Sequence, residues 1–586
     1  MKRRTVERNF RKIKNEIAHI ENLVKNTKSI NGLWEHEGAI RRKLRHLKEF
    51  EGEDLRDFQK IYDRYLEALE NVSTKLINDY NRKNKTNFTF HEVVRGNYEA
   101  YLKSGIMSVL ITSHIPKLVF KEFDEVFPQN PKEEYEDARK IKRNFYLHLG
   151  ETNTGKTYNA MERLKEVKKG IYLSPLRILA LENFEKLNRE GVKCHLLTGE
   201  EEILIEDATH ISCTIEKLNL KEQYDLAIID EIQMINDDSR GAAWTRALLG
   251  LNCKEIHVCG AINSKEILID IIEDCRDNYE IKEYKRSVPL EIQHRSFSYG
   301  DIEAGDALVV FSKKRVLQLA YYYGDLGIKA SLIYGDLPPE VRRKQYEQFI
   351  NKETTILITT DAIGMGVNLP IRRIIFMDVK KFDGNEVRFL TSQEVKQIGG
   401  RAGRKGIYEV GYLTSFGSGQ SFIEEMINSE DEIIDTAVIG PSEAILRIKG
   451  LPLKEKLALW STREEKTPFY RKMDISEYLI VLESIKGYKL EEALQWQTLK
   501  IPFDVTTPEI MEQFLNYMDE LFIARRKAIT LPKFKTKELY ELELYYQKIN
   551  LYYSFSKVFE LPFDEEWVYE ERIRVSEEIN NILKGI

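Results

Sequence analysis

The sequence predicts an α/β fold: two tandem parallel sheets built from βαβ units, flanked by N-terminal and C-terminal helical regions. Three observations predict it. Between about 144 and 435 the apolar residues come in short, largely β-branched runs, FYLHLG, GIYLSP, LAIIDE, EIHVCG, ALVVFS, ASLIYG, TILITT and RRIIFMD, separated by helix-compatible stretches. Outside that span the apolar spacing is three-and-four, the period of an amphipathic helix. A chain of 586 residues also exceeds what one hydrophobic core serves.

The N-terminal region, 1–140, opens on Val6, Phe10, Ile13, Ile17, Ile20 and Val24 and continues with Leu55, Phe58, Ile61, Tyr62, Tyr65, Leu66, Leu69, Val72 and Leu76. Both stripes read as core faces. The charged stretch PKEEYEDARKIKR, 131–143, reads as a connection. The eight apolar runs supply two sheets, in domains 141–295 and 296–435, with the joint near 295, where Pro289, Gly300 and Gly305 interrupt the pattern. The C-terminal region, 436–586, is helical, and its Tyr540, Leu542, Leu544, Tyr545, Ile549 and Tyr552 read as packing in preference to a base-stacking platform.

Lys and Arg total 89 against 95 Asp and Glu, a net charge of −6, so any basic track for a polyanion must be local. No apolar run is long enough to cross a bilayer. Cys194, Cys213, Cys253, Cys259 and Cys275 form no CxxC pair, which points to a reducing compartment without structural zinc. The basic start lacks the apolar stretch of a signal peptide. With a composition rich in Ile, Lys, Asn and Tyr, the expected location is cytoplasmic, of bacterial type, rather than the mitochondrial matrix. Nothing implies flavin or haem.

After the run FYLHL comes Gly150-Glu-Thr-Asn153-Thr154-Gly155-Lys156-Thr157, then a helix-compatible stretch. GxxxxGKT in that order is a phosphate-binding loop: glycines let backbone N–H groups close on phosphate oxygens at a helix N-terminus. Lys156 carries charge to the β and γ phosphates, and the Thr157 hydroxyl is suited to Mg²⁺. Downstream, the run ending Asp230-Glu231-Ile-Gln233 puts two acids at a strand's C-terminal edge. Asp230 is expected to hold Mg²⁺ and Glu231 to polarise the attacking water. Together the two motifs specify a nucleoside triphosphate with Mg²⁺; ATP is the expected one, and GTP or another triphosphate stays open.

Gln397-Ile-Gly-Gly-Arg401-Ala-Gly-Arg404 follows the second strand series, and QxxGRxGR is what a second RecA-like domain brings across a cleft. Arg401 and Arg404 are expected to stabilise charge on the transferred phosphate. Thr359-Thr360-Asp361-Ala-Ile-Gly364-Met365-Gly366-Val367-Asn368 ends another strand in small and polar residues. Thr359 and Thr360 are assigned to nucleic acid, Asp361 and Gln397 to the nucleotide side.

These residues resemble superfamily-two helicases, motif by motif and in order. Ser174-Pro175-Leu-Arg177, Thr198-Gly199-Glu-Glu, Cys259-Gly260-Ala261 and Phe311-Ser312 look like the intervening motifs. Closer still, YLSPLRILALENFEKLNREGVKCHLLTGEE, DEIQMI, GAAWTRALLGL, YGDLPPEVRRKQ and KKFDGNEVRFLTSQEVKQIGGRAGR are similar to the mitochondrial-degradosome RNA helicases of the suppressor-of-var type and their bacterial relatives, over about 144–420. The resemblance implies an ATP-hydrolysing RNA helicase of 3′-to-5′ polarity, acting on single-stranded RNA or a 3′-tailed duplex, with an exoribonuclease partner in some members. It implies nucleic-acid contacts at Pro175, Arg177, Thr198, Gly199, Thr214 and Ser312, and a closure-sensing role for Gln233. A monomer is expected. Ala261-Ile-Asn-Ser264 departs from the family's usual acid after CG, and no upstream glutamine motif fixes adenine. Two rivals share the motifs: a DNA helicase, since phosphate contacts carry no sugar identity, and a nucleotide-gated binding module, which the intact Lys156, Asp230, Glu231, Arg401 and Arg404 disfavour.

Overall fold

The computed structural model describes residues 2–48, 50, 55–113, 123, 125–364, 369–382, 387–404 and 406–585. Met365–Asn368 of the loop after Gly364 and the Asp383–Glu386 part of the quoted motif lie outside them, as does the side chain of Val6.

All eight apolar runs form strands. The first sheet holds β1 (Asn144–Gly150), β2 (Gly170–Ser174), β3 (Cys194–Leu197), β4 (Glu202–Ile203), β5 (His210–Thr214), β6 (Gln223–Ile229), β7 (Asn252–Gly260) and β8 (Asn278–Tyr284). Their order is 4-3-5-2-6-7-1-8. Every pairing is parallel except that of β3 with β4. β9 (Leu290–Ile292), N-terminal to residue 295, already joins the second sheet. There it meets β10 (Asp306–Val309), β11 (Ala330–Ile333), β12 (Ile356–Thr359) and β13 (Arg373–Phe376). A hairpin, β14 (Lys380–Phe382) with β15 (Val387–Phe389), precedes β16 (Gly411–Ser415). The second sheet's order, 11-12-10-13-16-9, is parallel throughout. β2, β10, β12 and β13 are buried at every residue, which is why they read as unbroken apolar runs rather than alternating ones.

The N-terminal helices Lys2–Asn26, Ile30–Lys48 and Phe58–Asn84 bury Phe10, Ile13, Ile17, Tyr65, Leu69 and Val72 in a core of their own. The middle helix escapes a hydrophobic-stripe reading because its buried face includes Glu37, Gly38 and Arg41. Those charges are partly met: Glu37 Oε1 accepts from the Ile106 N–H at 2.6 Å and Arg41 pairs with Asp474 at 3.0 Å, while Glu37 Oε2 and Arg41 Nε are buried without a hydrogen-bond partner among the described residues. The stretch 131–143 is docked instead of linking freely. Arg143, fully buried, pairs with Asp277 at 2.6 Å and donates to the Leu248 and Leu249 carbonyls, while Lys132 holds Asp274 at 2.7 Å.

Beyond a two-stranded parallel pair, β17 (Ala437–Ile439) and β18 (Tyr470–Lys472), the C-terminal region is mainly helical. Its last helices, Leu539–Val558 and Glu565–Lys584, touch both sheet domains. Arg572 donates to the Glu200 carbonyl at 2.6 Å on the first; Gln345 bonds Asn580 at 2.9 Å and the Tyr334 hydroxyl bonds Glu543 at 2.8 Å on the second. Tyr545 and Tyr552 are buried, so these tyrosines pack; Tyr540 alone of the predicted stripe is largely exposed, at 56%. Among the described residues no helix is long and apolar enough to cross a membrane.

Candidate functional site

Strand order divides the C-terminal edge of the first sheet in two. The ends of β1, β6 and β7 adjoin and carry the phosphate loop, the paired acids and Gly260; the ends of β2, β5 and β3 adjoin and carry Pro175, Thr214 and Thr198. One edge thus has a nucleotide half and a second polar half.

In the nucleotide half, Gly150 has φ 156°, and a Cβ there would overlap the Tyr284 carbonyl oxygen of β8. Gly155 (φ 80°) caps the helix Lys156–Leu164, with open space where a side chain would project. Lys156 lies across the loop, donating to the Gly150 and Glu151 carbonyls at 3.1 and 2.9 Å. Thr154 donates to the Glu151 carbonyl at 3.0 Å. The Thr157 hydroxyl is 3.2 Å from Asp230 Oδ1, and Tyr172 donates to Asp230 Oδ2 at 2.8 Å. Burial, then the neighbouring Glu231 charge, pushes Asp230 up to about 6. A hydroxyl beside a carboxylate is an all-oxygen donor pair of the kind Mg²⁺ takes, so these residues fit that ion.

Glu231 sits in the left-handed region at φ 51° and accepts from Gln233 Nε2. Gln233 Oε1 in turn accepts from the Ala261 N–H at 3.1 Å, so one side chain ties the second acid to the loop after β7. Gly260 is required there, since a Cβ would lie 2.5 Å from Ile232 Cγ2 and 2.7 Å from Gln233 Oε1.

The second domain closes the site. Asn153 donates to the Gly400 carbonyl at 2.9 Å, and a Cβ on Gly400 would reach 2.8 Å from Thr152 Cβ, so the arginine loop rests on the phosphate loop. Arg401 is buried and donates to the Gly364 carbonyl at 2.6 Å. Burial holds its guanidinium below the usual range, against the pull of Glu231 first and of Tyr346 and Asp230 next. Arg404 is half-buried on the same loop, and Gln397 lies on the preceding helix Ser392–Gly399, beside Gly364. Asp361, largely exposed, pairs with Lys381 at 2.8 Å.

Sequence reasoning missed Arg286. Lying between the sheets, it donates through Nε to the Val288 carbonyl at 2.6 Å, through Nη1 to Gly400 at 2.5 Å, and through Nη2 to Ala402 and Gly403. Its own N–H donates to the Glu151 carboxylate of the phosphate loop at 2.9 Å. A lone arginine in a connector carries no motif; only the fold brings it to the carbonyls.

The expected nucleic-acid residues are placed differently from one another. Ser312 caps the helix Lys313–Asp325 and is exposed, and Thr214 is half-buried at the end of β5. Thr198 and Thr359 are buried, their hydroxyls bonded to the Glu201 and Thr360 carbonyls, so neither offers its side chain outward in this conformation. Thr360 is also buried, and its hydroxyl accepts from the Ala362 N–H at 3.3 Å. The Pro175 carbonyl accepts from Arg240 at 2.6 Å, and the Gly199 carbonyl from Ser554 at 3.3 Å. Arg177 is enclosed by Glu200 at 2.7 Å, Glu201 at 3.1 Å, Glu340 of the second domain at 2.8 Å and the Tyr546 hydroxyl at 3.0 Å. It ties three parts of the chain together.

Residues 131–284 match the DEXQ-box helicase domain of Suv3, 295–406 the helicase conserved C-terminal domain, and 539–585 the SUV3 C-terminal domain. The chain is 36% identical to the rice mitochondrial ATP-dependent RNA helicase SUV3, over 74% of this chain and 78% of that one. It is 40% identical to the Saccharomyces cerevisiae mitochondrial SUV3 over 54% of this chain and 45% of that one. For human mitochondrial SUPV3L1 the figures are 32%, 72% and 58%. The chain therefore spans about half the length of the yeast and human relatives. All three are mitochondrial proteins by name, which overturns the expected cytoplasmic location: composition and a signal-free start do not encode a compartment.

Proposed function

This chain belongs to the Suv3 family of DExQ/H-box helicases, and from that premise we propose that it is an ATP-driven RNA helicase that translocates 3′-to-5′ on single-stranded RNA or a 3′-tailed duplex in RNA turnover. The observation that carries the reading is the meeting of Asn153 with Gly400 at 2.9 Å, which sets Arg401 over the paired acids Asp230 and Glu231. Binding and cleft closure are then one event, because nucleotide completes a site that each domain only half contains.

In this reading the N–H groups of the phosphate loop and Lys156 bind the phosphates, and the lysine leaves the Gly150 and Glu151 carbonyls to do so. Thr157 and Asp230 hold Mg²⁺, which supplies positive charge to the phosphate oxygens when bound. Glu231 orients and polarises the water, Gln233 fixes the Glu231 carboxylate, and Arg401 with Arg404 stabilises charge on the phosphate being transferred. With the boundary between the sheets moved ahead of Leu290–Ile292, which already pairs in the second sheet, divisions at about 140 and 435, a monomeric state and an exoribonuclease that consumes the single-stranded product complete the proposal.

The test is steady-state ATPase activity of the full chain alone, with single-stranded RNA and with single-stranded DNA, using Glu231→Gln as the blank. RNA is expected to stimulate turnover and Glu231→Gln to abolish it while retaining RNA in the presence of ATP. Equal stimulation by DNA would overturn the RNA assignment, and no stimulation by either would reduce the chain to an uncoupled ATPase.

A further inference from the structure

The chain is acidic overall, yet from Leu521 to Lys537 it contains Arg525, Arg526, Lys527, Lys533, Lys535 and Lys537 and no acid. The stretch from Arg525 to Lys537 connects the π-helical stretch Asp519–Ile523 to the helix Leu539–Val558, and all six basic side chains are exposed. It is held from beneath. Ile529 and Pro532 are buried, Phe534 packs on Tyr545 at 4.9 Å between centroids, and Glu520 accepts from the Thr530 N–H and hydroxyl at 2.7 and 2.5 Å.

Acids answer only part of this charge. Arg526 pairs with Glu520 at 3.5 Å and Lys537 with Glu578 at 3.1 Å. Among the described residues, no ion pair engages Arg525, Lys527, Lys533 or Lys535. Four such cations exposed on one short segment suit a polyanion as their partner. Large apolar side chains are exposed beside them: Ile523 at 69%, Leu531 at 44% and Tyr540 at 56%. A basic stretch followed within one helical turn by an exposed aromatic suits a single-strand track, phosphates on the cations and a base on the ring.

Position agrees. The helix that follows the segment places Glu543 against Lys313 and against the Tyr334 hydroxyl at 2.8 Å, beyond the ends of β10 and β11. Thr360 follows β12, between those two strands in the sheet. The basic segment therefore leads directly into the helix that docks, through Glu543, on the end of the second sheet from which the expected nucleic-acid loops emerge.

We propose that residues 525–537 bind the phosphate backbone of single-stranded RNA, without reading its sequence, and that Tyr540 stacks on a base. The segment extends the RNA path from the second domain over the C-terminal region. This rests on the RNA reading above.

The experiment measures binding of the full chain to a fluorescent oligouridylate by anisotropy between about 50 and 200 mM salt, a range over which phosphate contacts dominate the change in affinity. The variant Arg525→Gln/Lys527→Gln/Lys533→Gln/Lys535→Gln leaves Arg526 and Lys537 in their ion pairs. Its RNA affinity at low salt is expected to fall at least tenfold. Each single-strand phosphate left without its cation lowers the slope of log affinity against log salt by about 0.7, so the slope should fall by roughly 2 to 3. ATPase activity without RNA and thermal stability should stay at wild-type values. Tyr540→Ala should weaken binding several-fold with the slope unchanged, and Tyr540→Phe should restore it. An unchanged slope and affinity in the fourfold variant overturns the track, as it would if the charges served an acidic protein or a membrane surface. Wild-type chain that binds no RNA at all would instead bring down the parent reading with it.

Discussion

At the residue scale, the proposed roles divide ground-state binding and transition-state charge between the domains. Lys156 lies on the proposed phosphate loop, bonded to the Gly150 and Glu151 carbonyls, whereas Arg401 approaches Glu231 and Asp230 from the other side. Lys156→Ala should therefore weaken nucleotide binding by tenfold or more. Arg401→Ala and Arg404→Ala should keep nucleotide affinity within about threefold and slow hydrolysis by roughly 10³, the scale of an arginine finger. Equilibrium binding of a fluorescent ATP analogue beside single-turnover hydrolysis separates the two, and equal affinity losses in all three variants would refute the division. Gly150→Ala should remove both, because its Cβ would overlap the Tyr284 carbonyl at a φ of 156°. The glycines, lysine and acids that the structure gathers were legible in the sequence because the phosphate chemistry proposed for them sets a fixed local spacing. Arg286 and the enclosure of Arg177 were not, since their partners are fixed only by the tertiary fold.

At the element scale, the strands were legible because burial on both faces writes itself as uninterrupted Val, Ile and Leu, and the helix Ile30–Lys48 was not because its core face is partly charged. The connector between the sheets shows what an element contributes beyond its own regularity. Arg286 donates to four carbonyls with its fork, three of them on the arginine loop, while its N–H reads the phosphate loop through Glu151. Arg286→Ala should lower kcat by roughly 10²-fold, within the scale of misplacing a catalytic group, with nucleotide affinity little changed. Arg286→Lys should not rescue it, because an ammonium cannot reproduce the planar fork. Its effect should also be less than additive with Arg401→Ala; full additivity would mean that it acts elsewhere. β1 and β7 supply a second case. His148 and His257 bond each other at 2.8 Å, with Tyr284 and Glu255 at the two ends. Burial first, and the His257 and Lys282 charges after it, push His148 down to about 4; burial lowers His257 too. An unfolded histidine titrates near about 6.5, so between there and about 4 the unfolded chain binds protons that the folded chain refuses. Stability should thus fall as pH falls through that window. Melting temperature should drop less between pH 7 and 5 in His148→Gln/His257→Gln than in wild type, and parallel curves would rule the pair out as the cause.

At the scale of the whole molecule, the sequence announced helical ends but not where they dock, because an amphipathic stripe specifies that a face is buried and not against what. In the structure the last two helices span both sheet domains, and polar ties away from the nucleotide hold the domains together as well: Arg343 with Glu185 at 2.5 Å and Arg177 with Glu340 at 2.8 Å. In the proposed cycle these ties set how much of the closing free energy ATP itself must supply. The Arg343 pair is roughly half exposed and worth about 1 kcal/mol at most. Glu340→Gln leaves Arg177 still paired with Glu200 and Glu201, so no buried charge is stranded. Together Arg343→Gln and Glu340→Gln should shift the open-to-closed ratio by about 1 to 2 kcal/mol, roughly 5- to 30-fold, without touching a group at the phosphates. The apparent KM for ATP should rise several-fold while kcat is unchanged, since nucleotide at saturation restores the same closed site. Small-angle scattering should show a larger radius of gyration for the double variant alone and the wild-type value once a non-hydrolysable ATP analogue is added. A fall in kcat at saturating ATP would mean that the ties shape the catalytic geometry itself, and an unchanged KM with unchanged dimensions would mean that the C-terminal helices alone hold the domains closed.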